Sequence, residues 1–201
     1  PPTATPVLVE PLTGAQIEPP LDIVLPEGWQ LGYNSFMFSD LGDLTVIPLA
    51  IYRGPVTGGT GEIVLLWNFR SVTTGNPLSE DFGVVNPWLD GLRLLRLAVL
   101  NPACNIGTDQ QRDYTVGGLP ATGTRFAAVD CPDGLPDTRG WFAGLEQEGL
   151  PFIFYVYADP IGAMDGPARD ELQAVLDSVD FRVGAFLDAL PTYDPSLTAE
   201  P

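Results

Sequence analysis

The 201 residues include 26 acidic side chains and nine arginines but no lysine or histidine, so the net charge at pH 7 is −17. A chain this acidic repels phosphate backbones and anionic lipid headgroups, which argues against nucleic-acid binding. The absence of histidine and lysine excludes Ser-His-Asp and Cys-His nucleophiles, HExxH zinc sites, Schiff bases and phosphate-loop lysines.

Proline-rich segments flank the region that is expected to fold. The apolar share of 45% is enough for a core, and the length suits one domain with extensions. We therefore assign residues 1–20 to a proline-rich N-terminal arm, residues 21–183 to a single domain, and residues 184–201 to a C-terminal tail.

The arm contains one strand-like run, Val7, Leu8 and Val9, which lies between Pro6 and Pro11. We expect this run to add as a short strand to an exposed sheet edge, either of its own domain or of a neighbouring copy. The flanking prolines lack N–H groups and therefore limit the pairing to a few residues. Pairing with a neighbouring copy would be head-to-tail and would produce rings or filaments.

The sequence begins with proline and not with methionine. We expect that an export signal was removed by natural processing; a shortened chain is the alternative. A lipid-modified cysteine upstream of Pro1 would anchor the protein to a membrane, and the sequence leaves that question open. Since it contains no apolar run of about 18 residues, we expect no membrane span.

The first half of the domain is predicted to contain four strands. Pro48 interrupts the third, which favours an edge strand or a bulge there. The fourth is apolar on both faces, as a central strand is. The glycine-rich residues 53–62 look like a phosphate loop, but they lack lysine and lead into a strand, so we interpret them as a hairpin turn. The predicted strands lie within residues 22–29, where Pro26 and Gly28 stop a short strand, and within residues 32–39, 44–54 and 61–69.

Apolar residues at helical spacing predict two helices. The first covers residues 86–101, with a proline at its first position. The second lies within residues 164–181, where Asp165 is the expected N-cap and Asp170 and Glu171 suit the positive end of the helix dipole. The apolar stripes are Trp88, Leu92, Leu95 and Val99 in the first helix and Leu172, Val175, Leu176 and Val179 in the second.

Further strands follow the first helix, and the last two form a hairpin across residues 146–151. The final strand is apolar or aromatic on both faces, so both sides of the sheet must be covered. The pattern therefore implies a layered α/β arrangement, with helices covering the faces of the sheet. These strands are residues 112–119, 123–131, 138–149 and 150–160, with a short return segment at 180–183.

The beginning and end of the domain resemble the PsbP-like family, the photosystem II extrinsic subunits and their bacterial relatives. The similarity lies in LDIVLPEGW at residues 21–29, in the hairpin, and in a final helix that carries Leu176, Ser178, Val179 and Phe181. It implies an antiparallel sheet between helices and a non-enzymatic protein that acts through docking surfaces. The photosynthetic members dock through basic residues and histidine; because this chain has neither lysine nor histidine, those residues do not carry over.

The two cysteines, Cys104 and Cys131, are not part of a CxxC motif, so a metal or redox motif has no support. We predict that they form one disulfide in an oxidising compartment, which favours an extracytoplasmic, bacterial secreted or cell-surface protein. Two buried, reduced thiols are the alternative.

Two acidic loops are candidate Ca²⁺ sites, because Ca²⁺ takes oxygen ligands from loops. The first contains Asp130, Asp133 and Asp137, and the second contains Asp159 and Asp165. Neither has the EF-hand spacing, and aspartates are equally common in solvated turns. Ca²⁺ is the single cofactor that the sequence suggests.

Three further groups have both a functional and a structural interpretation. Glu146 and Glu148 could act as a glycosidase pair, but they lie at a hairpin tip where polar residues are expected. Arg93 and Arg96 could hold an anion or form the solvated edge of a helix. The four tryptophans and the aromatic hairpin could line a ligand groove or belong to the core.

These observations favour a non-enzymatic structural or assembly subunit that docks or polymerises through its arm. Its partners would be other protein subunits, including copies of itself, and neither nucleic acid nor a membrane span is expected. The alternative is a monomeric exported or lipid-tethered binding module, or an accessory subunit of a membrane complex. No residue is assigned a catalytic role.

Overall fold

This computed structural model describes residues 18–40, 43–73, 83–132 and 134–189. They form an eight-stranded antiparallel sheet, a separate two-stranded pair and three α-helices, which confirms the predicted antiparallel α+β class. The strands are β1 (Leu21–Asp22), β2 (Gln30–Asp40), β3 (Asp43–Val56), β4 (Gly59–Trp67), β5 (Asn105–Thr108), β6 (Arg112–Val116), β7 (Leu119–Val129), β8 (Thr138–Gln147), β9 (Leu150–Asp159) and β10 (Asp180–Phe181). The helices are α1 (Pro87–Leu94), α2 (Ala168–Asp177) and α3 (Val183–Ala189), with a π-helical turn over Leu95–Val99 and a 3₁₀ turn over Ile161–Asp165.

The strand order in the large sheet is β2-β3-β4-β9-β8-β7-β5, and β6 pairs with β7 next to β5. The predicted hairpin is confirmed: β8 and β9 join through a turn at Glu148 and Gly149, both of which have positive φ. β1 pairs with β10, which places Leu21 opposite Phe181 and joins the two ends of the domain. The predicted short strand after the second helix is therefore β10.

Pro48 does not make β3 an edge strand, because β3 pairs with both β2 and β4. Pro48 lies opposite Ser35 of β2, and the pairing with β4 begins only at Leu49. The backbone N–H of Ser35 donates to the side chain of Asn34 at 2.8 Å and therefore points away from β3. Two residues directly opposite each other in an antiparallel pair point their backbone N–H groups either toward the partner strand or away from it together. The nitrogen of Pro48 therefore points away from β2, and its missing N–H removes no hydrogen bond between β2 and β3.

Apolar side chains cover both faces of the sheet, as the alternate positions of β9 show. Phe152, Phe154 and Val156 belong to a cluster that includes the buried residues of α2. Ile153 and Tyr155 belong to a second cluster that includes the buried residues of α1. All five side chains are fully buried. We call these sides the α2 face and the α1 face, and they confirm that helices cover both sides of the sheet.

The packed region extends past the predicted domain limits of residues 21 and 183. Pro19 and Pro20 are buried, and the carbonyl of Pro20 accepts the N–H of Arg182 at 2.7 Å. In α3, Val183 is buried and Phe186 packs against the cluster of the α2 face.

The start of α1 agrees with the prediction. Asn86 is the N-cap, and its side chain accepts the N–H groups of Trp88 and Leu89, each at 3.1 Å. Pro87 follows as the first helical residue, where its missing N–H has no intrahelical partner to lose.

The buried side of α1 and its π-helical turn differs from the predicted stripe. Of the predicted residues only Leu95 is fully buried. Gly91 faces the sheet, because a Cβ at this position would lie 2.4 Å from the ring of Phe142. The π-helical turn also changes the spacing after residue 94, which a regular helical period does not anticipate. The partly buried members of the stripe are Trp88, Leu92 and Val99.

α2 buries the predicted stripe, but its start differs from the prediction. The helix begins at Ala168 after Pro167, and no side chain caps it. Asp165 ends the preceding 3₁₀ turn, and its carboxylate pairs with Arg139 at 2.5 Å. The N-cap prediction for Asp165 is wrong because this side chain is held by Arg139. The buried stripe residues are Leu172, Val175, Leu176 and Val179.

Candidate functional site

A cleft of about 960 Å³ opens on the α2 face, between the strands at the β5 and β6 end of the sheet and the N-terminal half of α2. We call it the arginine cleft. Its lining comes from β5 to β8, the 3₁₀ turn and α2. The side chains that matter for binding are Arg112, Tyr114, Arg125, Arg139, Trp141 and Arg169.

Strand alternation places the lining side chains on one face. Tyr114 in β6 and Trp141 in β8 both pack against the cluster of the α2 face. Arg112 and Arg139 lie two residues before them, so they point to the same side. Arg125 of β7 lies directly opposite Trp141 in the register of the two strands. Neighbouring strands therefore supply three arginines to one surface.

α2 forms the opposite wall of the cleft and contributes Arg169. The side chain of Gln173 donates to the carbonyl of Thr115 in β6 at 3.1 Å. The carbonyl of Leu176 accepts the N–H of Gly117, in the turn after β6, at 2.9 Å. These two bonds hold the helix beside β6 and so set the width of the cleft.

The cleft concentrates the few positive charges of an acidic chain. Four of the nine arginines line it, together with four of the 26 acidic residues, so the lining is neutral by count in a chain of net charge −17. An anion is therefore repelled less here than the net charge of the whole chain implies. The lining aspartates are Asp109, Asp113, Asp165 and Asp170.

Two of the four arginines are already engaged. Arg139 pairs with Asp165 and donates to the carbonyl of Ile161 at 3.1 Å, which fixes the 3₁₀ turn at one end of the cleft. Arg112 pairs with Asp109 at 3.3 Å, and both side chains are partly exposed. Such exposed pairs contribute little to stability, so the Arg112 guanidinium can turn toward a ligand at low cost.

The side chains of the other two arginines have no partner among the described residues. In the part of the chain that the structure describes, the guanidinium groups of Arg125 and Arg169 form no salt bridge and no hydrogen bond. Two neutral donors of the cleft are also unpartnered among the described residues, the hydroxyl of Tyr114 and the indole Nε1 of Trp141. Buried polar groups are ordinarily hydrogen-bonded, so two such donors beside two unpaired cations mark this site.

The hydroxyl of Tyr114 lies within the fields of three arginines. Burial raises the pKa of Tyr114 above its ordinary value of 10.0, while the positive charges of Arg125, Arg112 and Arg169 act to lower it. Because the net shift is upward, Tyr114 stays a neutral donor at physiological pH. The positive charges of the same three arginines therefore act at the position of this hydroxyl.

The candidate Ca²⁺ loop lies outside the cleft. Asp137 accepts the backbone N–H of Cys131 at 3.3 Å, and Asp130 accepts the side-chain amide of Asn105 at 3.1 Å. Asp133 lies outside the described residues. No group of three or more His, Cys, Asp or Glu side chains positioned for a metal occurs among the residues that are described.

In the second candidate Ca²⁺ pair, one carboxylate is already engaged. Asp159 ends β9 and is exposed, whereas Asp165 is held by Arg139. The proposed glycosidase pair also has a structural place: Glu146 lies at the exposed end of β8, and Glu148 occupies the hairpin turn with a φ of 49°. Neither glutamate lines the arginine cleft.

The tryptophans divide between core and cleft. Trp67 is fully buried, and the ring of Trp88 stacks on Phe142 with 6.0 Å between centroids. Trp29 covers Gly54, where a Cβ would lie 2.3 Å from the indole. Trp141 alone among them lines the arginine cleft. The groove interpretation therefore applies to one tryptophan of the four.

Sequence reasoning singled out Arg93 and Arg96, neither of which lines the cleft, and it missed the four arginines that do. Those four are separated by up to 57 positions along the chain and share no motif. One signal was available in the sequence: an arginine is followed two positions later by an aromatic residue, in Arg112 and Tyr114 and again in Arg139 and Trp141. Residues two positions apart in a strand lie on the same face of the sheet.

No protein-family model matches the chain, and no curated protein matches it significantly. In the described ranges no helix is both long enough and apolar enough to cross a bilayer.

Proposed function

We propose that this protein is a non-enzymatic, extracytoplasmic binding module whose arginine cleft takes a small acid: a carboxylate or phosphate group on an apolar or aromatic body. The observation that carries this proposal is a pair of guanidinium groups, Arg125 and Arg169, beside the hydroxyl of Tyr114, all three without a partner among the described residues. Arginine presents a planar fork of donors that matches carboxylate and phosphate oxygens.

The rest of the lining defines the ligand further. Trp141 and Tyr114 offer aromatic surface for an apolar body. Asp113 and Asp170 also line the cleft and would repel a ligand with many negative charges. A single anionic group on an apolar body suits both features, and the volume of about 960 Å³ accommodates a drug-sized molecule.

Export and the lack of catalysis are parts of the same proposal. The disulfide between Cys104 and Cys131 is compatible with an oxidising compartment. The resemblance to the PsbP-like family supports a role in binding or docking, and a lipid anchor upstream of Pro1 would hold the module at a membrane surface. The assembly role of the arm residues Val7, Leu8 and Val9 stays a prediction, because they lie outside the described residues.

Replacing Arg125 or Arg169 with alanine should weaken binding of an acidic probe roughly ten- to hundredfold, since a charged hydrogen bond contributes about 1.5–3 kcal/mol. The measurement is titration calorimetry with naphthoate and phenyl phosphate at constant ionic strength. Arg96→Ala is the matched control, because Arg96 is exposed, lies outside the cleft and carries the same charge. Equal weakening by the control, or equal affinity for uncharged naphthylmethanol, would show that the cleft does not select anions.

Tyr114→Phe should separate binding from stability. Its hydroxyl has no partner among the described residues, so its removal should leave the free energy of unfolding unchanged or raise it, while acidic probes bind roughly tenfold more weakly. Tyr157→Phe is the opposite control, because its hydroxyl donates to Glu62 on the other face of the sheet. That variant should lose stability and keep its affinity. Unchanged probe binding in Tyr114→Phe would remove the hydroxyl from the site.

A further inference from the structure

The outer edge of β2 has no pairing strand among the described residues. β2 is 11 residues long, and residues 30–39 contain no charged side chain, in a chain of net charge −17. Natural sheets ordinarily protect such an edge with charges, prolines, bulges or short strands. From the outward backbone groups and the exposed apolar side chains of β2, we infer that this edge pairs with the same edge of a second copy of the chain.

The backbone of β2 offers its hydrogen-bonding groups outward at alternate residues. Ser35 is one of them, since its N–H donates to the Asn34 side chain and not to β3. Strand alternation then places the N–H and C=O groups of Leu31, Tyr33 and Met37 on the same outer side. An antiparallel strand laid along this edge would satisfy them.

Apolar side chains beside the edge extend the contact surface. Leu31, Tyr33 and Met37 alternate along β2 and lie on the α2 face, where Tyr33 packs against the core cluster. Val46 of β3 lies opposite Met37 and shares that face. Leu31 and Val46 are 42% and 41% exposed, which leaves an apolar strip in contact with solvent.

The opposite edge of the sheet is protected by the usual means. There, β7 is flanked by two short strands: β5 with four residues and β6 with five. β6 also carries the charged residues Arg112 and Asp113. The contrast between the two ends of one sheet singles out β2 as the edge available for pairing.

A second copy suits this edge better than a charged partner does. Antiparallel pairing of β2 with β2 of a second copy is a contact with two-fold symmetry. The two sheets become continuous, and the apolar strips of both copies lie side by side on one face. Two chains of net charge −17 repel each other, so association is favoured along a stretch of strand that carries no charge of its own. Glu18, whose charge acts on Tyr33, belongs to the repulsion that remains. Salt should therefore strengthen the contact by screening the remaining repulsion.

The test is the association state of the full chain in sedimentation experiments at increasing protein concentration. We expect a dimer that becomes more stable with added salt, and a monomer for Leu31→Lys, which places a charge on the edge. Leu135→Lys is the matched control: Leu135 is also 42% exposed, lies in a loop away from β2, and should leave the dimer intact. Thermal unfolding of both variants checks that each is folded.

Hydrogen exchange on the unmodified protein provides a second readout that needs no variant. The amides of Tyr33 and Met37 should become protected as the protein concentration rises. A wild-type chain that stays monomeric at all concentrations overturns the inference, as does a dimer that Leu31→Lys does not weaken. A dimer lost on deletion of residues 1–12 would show that the arm makes the contact, which also overturns the pairing of β2 with β2.

Discussion

Replacing Asp90 with alanine should lower the free energy of unfolding by about 3 kcal/mol or more. Asp90 lies on α1, is fully buried and joins the helix to the segment after β4. Its Oδ1 accepts the backbone N–H of Val72 at 2.7 Å and that of Thr73 at 3.1 Å, and its Oδ2 accepts the N–H of Asn86 at 2.7 Å. The hydroxyls of Ser71 and Thr73 donate to the same carboxyl group.

The large effect follows from what the substitution leaves behind. Alanine removes the acceptor but not the donors, and each buried donor without a partner costs about 1–3 kcal/mol. Val72 is itself buried, so water does not readily replace the lost acceptor. Asparagine keeps the shape of the side chain but turns an N–H₂ group toward one set of donors. The free energy of unfolding of Asp90→Asn should therefore lie between that of Asp90→Ala and that of the wild type.

Chemical denaturation measures this prediction, with Asp113→Ala as the control because Asp113 is an exposed aspartate whose side chain forms no hydrogen bond to another described residue. The control should change the free energy of unfolding by less than about 0.5 kcal/mol. Hydrogen exchange should show lost protection at Val72 and Thr73 while β9 stays protected. If Asp90→Ala costs no more than Asp113→Ala, the carboxyl group does not hold this segment.

Removing the disulfide should cost roughly 3–4 kcal/mol in the loop-entropy model, because the bond closes a separation of 27 residues. Cys104 and Cys131 are joined as predicted, with 4.3 Å between their Cα atoms. Cys104 precedes β5 and Cys131 follows β7, at the end where Asn105 lies opposite Val129. The bond therefore fastens a four-residue edge strand to the sheet.

The melting temperature should fall on reduction, and Cys104→Ser with Cys131→Ser should melt at the same lower temperature with or without reductant. Exchange protection of β5 should be lost first, because four residues of pairing are weak without the covalent link. Free-thiol labelling of both cysteines in the untreated, unfolded protein would contradict the disulfide. An unchanged melting temperature on reduction would contradict its role in stability.

Local patterns in the sequence were enough to predict much of the fold. The buried stripe of α2, the hairpin of β8 and β9, and the cap and proline at the start of α1 follow from residues close together in the chain. The two-faced apolar pattern of β9 correctly required helices on both sides of the sheet. The cysteine pair followed from composition, because two cysteines without a motif have one obvious partner each.

Other features depended on contacts between distant residues. The register of α1 was missed because Phe142, 51 positions after Gly91, occupies the space that a side chain would need. Asp165 was expected to cap a helix, but Arg139 of a neighbouring strand holds it instead. Residues close to Asp165 in the sequence do not reveal this partner, because the pairing of the strands places Arg139 beside it.

The sequence by itself therefore determined the antiparallel class, the disulfide, most elements and the chemistry that a chain without lysine and histidine cannot perform. Only the tertiary structure decided where the candidate site lies. Arg112, Arg125 and Arg139 meet because β6, β7 and β8 are neighbours in register, and Arg169 joins them because α2 packs across those strands. Strand order and helix placement are set by long-range burial of apolar surface, and no local spacing encodes them.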